Sequence, residues 1–151
     1  MDDAFSDLSW NAFVHVTLRL IVATVLGAVI GWEREVHKRA AGLRTHILVA
    51  VGCATFMTLG MDLVENGGGS DAASRIVQGV AAGIGFLGAG TILKLDEEKR
   101  IRGLTTAASI WATSAAGVAV GAGRLFLGVV LVVLTLITLA VLPKVAPENS
   151  E

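Results

Sequence analysis

One cysteine, two prolines and three histidines are all that this 151-residue chain has of those types. Cys53 stands alone, so no internal disulfide can form. No His or Cys lies near it in sequence to make a metal site, and it reads as a small buried apolar residue. His15, His37 and His46 are scattered over both ends of apolar segments and compose no ligand set. There is no zinc or haem signature, no Gly-x-x-x-x-Gly-Lys phosphate loop and no phosphorylatable aspartate motif. No stretch of about ten residues alternates with period two, which argues against a membrane barrel. The leader holds Asp2, Asp3 and Asp7 without Lys or Arg, and no small-residue cleavage site ends the first apolar segment, so that segment is not expected to be a signal peptide. These absences leave no catalytic residue, metal or cofactor to name, and the chain is expected not to be an enzyme.

What it has in abundance is apolar sequence. Hydrophobic residues make up 54% of the chain, mean hydropathy is +0.71, and the charges cluster between long uncharged runs. A soluble domain of this length does not need such runs. Residues 125–142 and 104–123 contain no ionisable side chain. At about 1.5 Å per helical residue, each covers roughly the 30 Å hydrocarbon core. Three more spans precede them, at 14–32, 47–64 and 76–93, the first carrying Arg19 and the second Asp62. The expected fold is all-α: five transmembrane helices in one domain over residues 1–151, with Pro143 and Pro147 in a short tail.

Leu26-Gly27-Ala28 … Lys38-Arg39 … Gly42-Leu43-Arg44-Thr45 recurs sixty-one residues later as Leu87-Gly88-Ala89 … Lys99-Arg100 … Gly103-Leu104-Thr105-Thr106, with eight of twenty positions identical. Each copy runs from the end of one span across a basic loop into the next. The chain therefore reads as a tandem helical hairpin, spans one and two followed by three and four, plus a fifth helix.

Lys and Arg set the orientation. Arg34, Lys38, Arg39 and Arg44 follow the first span; Lys94, Lys99, Arg100 and Arg102 follow the third; Lys144 lies in the tail. Only Arg75 and Arg124 lie on the opposite side. The N-terminus is expected outside and the C-terminus in the cytosol. The external loop 65–71 is Gly-rich and reads as a flexible connector.

Gly83-Ile84-Gly85-Phe86-Leu87-Gly88 matches the dinucleotide-binding pattern G-x-G-x-x-G, but the match is rejected because it lies inside a span, with no preceding strand or soluble crevice. Gly79, Gly83, Gly85, Gly88 and Gly90 make the third span the richest in glycine. They read either as close helix packing or as a locally unwound segment with freed carbonyls. Both readings put this helix at the bundle centre. Gly27/Gly31 and Gly117/Gly121 are further small-residue pairs, and the Leu- and Val-rich fifth helix suits lipid or an oligomer interface, so a homodimer is one expected assembly. Trp10 and Trp32 read as interfacial anchors and Trp111 as packed in the bundle.

On the cytosolic side Thr45, Thr105 and Thr106 are placed to cap helix N-termini, whose free N–H groups favour anions. Arg44 and Arg102 sit beside them. Glu33 is expected to pair with one of these or with Arg34. This cluster reads as topology, capping and structural ion pairs, or as an anion or partner-docking site. On the outer side, Arg19 is expected to snorkel or to pair with Asp62.

Three motifs now resemble a known family. Gly31-Trp32-Glu33-Arg34-Glu35 with Ala41-Gly42-Leu43-Arg44-Thr45-His46, then residues 79–90, then Ile101-Arg102-Gly103-Leu104-Thr105-Thr106 through Trp111 are similar to the MgtC/SapB family of bacterial membrane proteins, in its order and spacing. The resemblance implies a multi-pass inner-membrane protein tied to magnesium limitation and, in pathogens, to survival inside macrophages. It also implies a regulatory role in membrane energetics, with ATP synthase as a membrane-protein partner. Two departures separate this chain from the virulence-associated members: it is expected to be a short form without the C-terminal cytosolic domain, and it has Thr105 where some have Asn. The runner-up reading is a small-ion or solute transporter or channel, against which stands the scarcity of carboxylates that Mg²⁺ favours. No cofactor and no nucleic-acid partner are expected beyond the lipid bilayer and these proteins.

The nine-to-two Lys/Arg split predicts that reporter fusions place the loops around Lys38 and Lys99 in the cytosol. An even number of spans, or a cytosolic N-terminus, overturns the map.

Overall fold

The computed structural model describes residues 9–67, 69, 71–95 and 100–145. Asp2, Asp3, Asp7, Gly68, Ser70, Lys99 and Pro147 lie outside them. Five helices follow one another: α1 (Trp10–Val36), α2 (Leu43–Glu65), α3 (Asp71–Ala89), α4 (Leu104–Gly121) and α5 (Leu125–Val145). All five are long and apolar enough to cross a membrane. Between α3 and α4 lies a short antiparallel ladder, β1 (Leu93–Leu95) with β2 (Arg100–Arg102), pairing Leu93 with Arg102.

The helices begin and end for local reasons. Ser9 caps α1, its hydroxyl accepting from the Ala12 N–H at 3.2 Å. The third span is shifted from the expected 76–93: the helix starts at Asp71 and ends at Ala89. The Thr91 hydroxyl and N–H both bond back to the Gly88 carbonyl, at 2.8 and 3.0 Å, and the chain then turns into β1. Gly103 sits at φ +91 with its α-carbon against the Thr91 carbonyl, where no Cβ fits.

Small residues decide the packing. A Cβ on Gly27 would stand 2.6 Å from the His46 carbonyl oxygen and 2.9 Å from the Ala50 Cβ; on Gly31, 2.7 Å from the Leu43 α-carbon. Beside this contact, from Ala50 onward along α2, Cβ atoms on Gly117 and Gly121 would overlap the carbonyl oxygens of Ala50 and Ala54. Backbone contact of this kind replaces the hydrophobic drive that is missing between helices in lipid. It makes α2 and α4 the centre of the bundle, with Ala50, Ala54, Ala116 and Val120 almost wholly enclosed. The α5 helix packs on α4 and α1, where Gly128 meets Val120 and Leu26.

The third helix corrects the expectation of a central, glycine-packed span. Within one chain nothing approaches within 4 Å of a Cβ built on Gly79, Gly83 or Gly85, and only Ile84 and Gly88 are buried. The helix is continuous, with no unwound segment. Gly90 meets only its own last turn. α3 lies against α2 and α4 at the edge of the bundle. Trp111 is likewise outward, 55% exposed rather than packed, and Trp10 and Trp32 are exposed at the two ends of α1. Gly27 faces His46 and Gly88 faces Ala107, pairs offset by the same sixty-one residues, but the first contact is far closer than the second, at 3.5 Å.

Replacing Gly117 or Gly121 with Leu is therefore expected to abolish a monodisperse species on size-exclusion chromatography in detergent, because the added volume meets backbone. Gly83→Leu is expected to elute and melt as the unsubstituted chain does. Equal behaviour of all three variants would refute the α2–α4 seam.

Candidate functional site: a buried polar cluster at one end of the bundle

The close approach of Gly31 to Leu43 and His46, where an added Cβ would stand 2.7 Å from the Leu43 α-carbon and 3.1 Å from the His46 Cβ, draws the last turn of α1 onto the first turn of α2. That contact assembles the polar residues. Arg34 is 2% exposed, deeper than any other described charged residue. Its Nε donates to Glu33 Oε2 in a short ion pair. Glu33 Oε1 lies 3.1 Å from His37 Nδ1, whose hydrogen bond goes instead to the Glu33 carbonyl at 2.8 Å. Glu33 Oε1 and Arg34 Nη1 are both buried without a hydrogen-bond partner. A buried charge pair is stabilising only when its remaining donors and acceptors are met.

His46 is fully buried beside this pair. Its Nδ1 lies 2.8 Å from the Gly42 carbonyl, which requires a proton on Nδ1. Its Nε2 lies 3.1 Å from Ser109 Oγ on α4, and that hydroxyl lies 2.8 Å from the Thr106 carbonyl. One serine proton thus serves two acceptors when the ring is neutral. Thr113 continues the polar line, donating to the Ser109 carbonyl at 2.8 Å. The cluster joins α1, α2 and α4.

Of the residues the sequence singled out, Glu33 and Arg34 meet as expected. Thr106 is buried and contributes its carbonyl. Arg44 is exposed and stands outside the pair, and Arg102 is exposed at the end of β2. Thr45 and Thr105 are half-buried, and none of the three threonines caps a helix. This corrects the capping expectation: the N-caps are Gly42 and Gly103, one residue before each Leu, so the threonines fall inside the first turn. The α2 N-terminus is served by Glu35, whose Oε2 accepts from the Leu43 N–H at 2.9 Å. A carboxylate there also meets the positive end of the helix dipole. Gly42 leaves it room, since a Cβ would overlap that oxygen. Sequence reasoning missed Glu35, His46 and Ser109. The Glu35 and Ser109 contacts span 8 and 63 residues and leave no local signature. For His46, a histidine one turn into an apolar helix was the available signal.

At the other end the expected Arg19–Asp62 pair does not form. Arg19 Nη1 donates to the Gly121 carbonyl at 3.0 Å, and Asp62 is exposed. The last carbonyls of α4 carry the negative end of the helix and lack intrahelical partners. Gly123, at φ +74, leaves space for the guanidinium. Thr58 donates to the same Gly121 carbonyl at 3.4 Å. Cys53 is buried in an apolar cluster with Val49, Ile84 and Ile110. Among the described residues no three His, Cys, Asp or Glu side chains group to hold a metal ion.

Comparison with known proteins places this architecture. The chain is 46% identical over 138 residues to "Protein SrpB" of Synechococcus elongatus, covering 85% of this chain and 75% of that protein. It is 46% identical over 114 residues to "Protein MgtC" of Brucella abortus, covering 76% and 45%. It is 41% identical over 133 residues to "Putative magnesium transporter YhiD" of Escherichia coli K12, covering 82% and 59%. The chain thus spans about half the length of the latter two relatives. No solved structure matches. The model of the MgtC family matches residues 20–147, and the chain, a multi-pass membrane protein by its five apolar helices, belongs to the MgtC family.

Proposed function

We propose that this chain is a non-conducting regulatory module of the bacterial inner membrane, with its N-terminus outside, that acts in adaptation to magnesium limitation. The observation that carries this reading is the closed seam of the bundle. α2 lies in backbone contact with α1 through Gly27 and Gly31 and with α4 through Gly117 and Gly121, and these contacts leave no width for a hydrated cation between the central helices. Mg²⁺ gives up its water reluctantly and takes carboxylate oxygens, whereas the buried polar cluster offers one carboxylate already paired with Arg34. A module that does not conduct acts through a surface. The end of the bundle bearing Glu33, Arg34 and the exposed Arg44 suits a polar or acidic partner, and a membrane protein such as ATP synthase is the partner this reading names.

Transport is the second reading, and the name of the Escherichia coli relative, "Putative magnesium transporter YhiD", favours it. Flux separates the two. Purified chain in liposomes is expected to pass no Mg²⁺ above the empty-vesicle rate; protein-dependent flux that Gly83→Leu leaves intact would establish transport and end the regulatory reading.

A growth assay under low magnesium tests the surface. Arg44→Glu, at an exposed position, is expected to abolish any growth advantage the chain confers, with unchanged membrane level and melting temperature. Arg34→Gln is expected to act differently: stripping Glu33 of its buried partner costs about 3 kcal/mol and lowers the melting temperature in detergent. Full growth with Arg44→Glu would exclude this end as the docking face.

A further inference from the structure

Between α2 and α3 runs a groove of about 460 Å³, open along one side, whose lining includes Cys53, Phe56, Arg75, Gly79, Gly83 and Leu87. From Arg75 to Leu87 the α3 wall covers twelve steps of about 1.5 Å, or about 18 Å. That is a little more than half of the roughly 30 Å hydrocarbon core, which is the reach of one acyl chain. The wall is smooth because Gly79 and Gly83, one turn apart, carry no side chain. Gly27, Gly31, Gly117 and Gly121 each meet a neighbouring helix, whereas Gly79 and Gly83 meet nothing in their own chain.

The end of the groove is charged. Arg75 is its one charged lining residue, it is exposed, and among the described residues it makes no hydrogen bond or ion pair, even with Asp71 one turn earlier. This bears on what fills the groove. A second copy related by a two-fold axis along the membrane normal carries its own Arg75 at the same depth, so filling the groove this way adds positive charge at its charged end. Like charges repel in that arrangement. A phosphate ester carries the complementary sign, and in a phospholipid it stands at the end of an acyl chain.

We propose that this groove is a phospholipid site. One acyl chain lies along Gly79 and Gly83 between α3 and the Cys53–Phe56 stretch of α2, and the lipid phosphate pairs with Arg75. The site is separate from the Glu33–Arg34 cluster and independent of the magnesium reading.

Native mass spectrometry of the full chain, released from detergent with added phosphatidylglycerol, tests it. One lipid per chain is expected to be retained. Arg75→Ala is expected to weaken retention about fivefold, the effect of one basic residue at an anionic lipid surface. Gly83→Leu is expected to remove the bound lipid without lowering the melting temperature. Phe126→Ala, on the exposed face of α5, serves as the control and leaves retention unchanged. Equal retention by Gly83→Leu and the unsubstituted chain would overturn the site in favour of ordinary annular lipid. A dimer that Gly83→Leu dissociates would show that a second copy fills the groove. Displacement by inorganic phosphate, with no dependence on acyl length, would reduce it to an anion contact.

Discussion

Backbone contact of α1 and α4 with α2 is the constraint on which the rest of the structure depends. In water, Gly-rich faces would gain little by meeting, but in lipid the apolar side chains have no preference between neighbours and tails. Close approach then decides which helices associate. Gly27 and Gly31 bring α1 to α2, and Gly117 and Gly121 bring α4 alongside it, both helices meeting α2 at Ala50. The polar cluster follows from this three-helix contact. With α1 held at Gly31, its next turn has to lie over the start of α2, which buries Arg34 and sets His46 against Ser109.

That arrangement is costly, and its position limits the cost. Charges inside a bilayer are expensive, but near a helix end they can be paired or reach the interface. Glu33 keeps slight exposure while Arg34 has almost none, so the pair is graded from solvent into the bundle. Arg19 solves the same problem differently at the far end, using the carbonyl end of α4 rather than a carboxylate. The two ends are thus closed by different chemistry around an apolar centre, Ile30, Ile110 and Val120 among its most deeply buried side chains, in which the Thr113 and Ser114 hydroxyls are turned onto their own helix.

Much of the fold was legible because the bilayer reads length and polarity directly. Five apolar runs became five helices, and the Glu33–Arg34 neighbourhood became a polar cluster. Glycine density misled at α3, since a missing side chain permits contact without supplying a neighbour. Gly79 and Gly83 are spaced like Gly117 and Gly121, yet only the latter find a helix. Nor does hydrophobic pattern separate core from lipid when both are apolar, and Trp111 therefore faced outward against expectation. The partner of Arg19 was hidden for another reason: a helix-end carbonyl belongs to the backbone and has no letter in the sequence. Thr45, Thr105 and Thr106 suggested caps, but two glycines took those positions, one of them at a positive φ that only glycine adopts easily.

The carboxylate of Glu35 bonds the first free N–H of α2 while belonging to the last turn of α1. A helix start that is capped by a neighbour's side chain cannot fray alone. Unwinding the end of α1 strips α2 of its cap, and unwinding α2 leaves a carboxylate without its donor, while only a glycine at position 42 leaves the carboxylate room to reach that N–H. In local-stability terms, this contact couples the opening of the α1–α2 corner, and its amide protons are expected to exchange together rather than in a gradient running inward from each helix end.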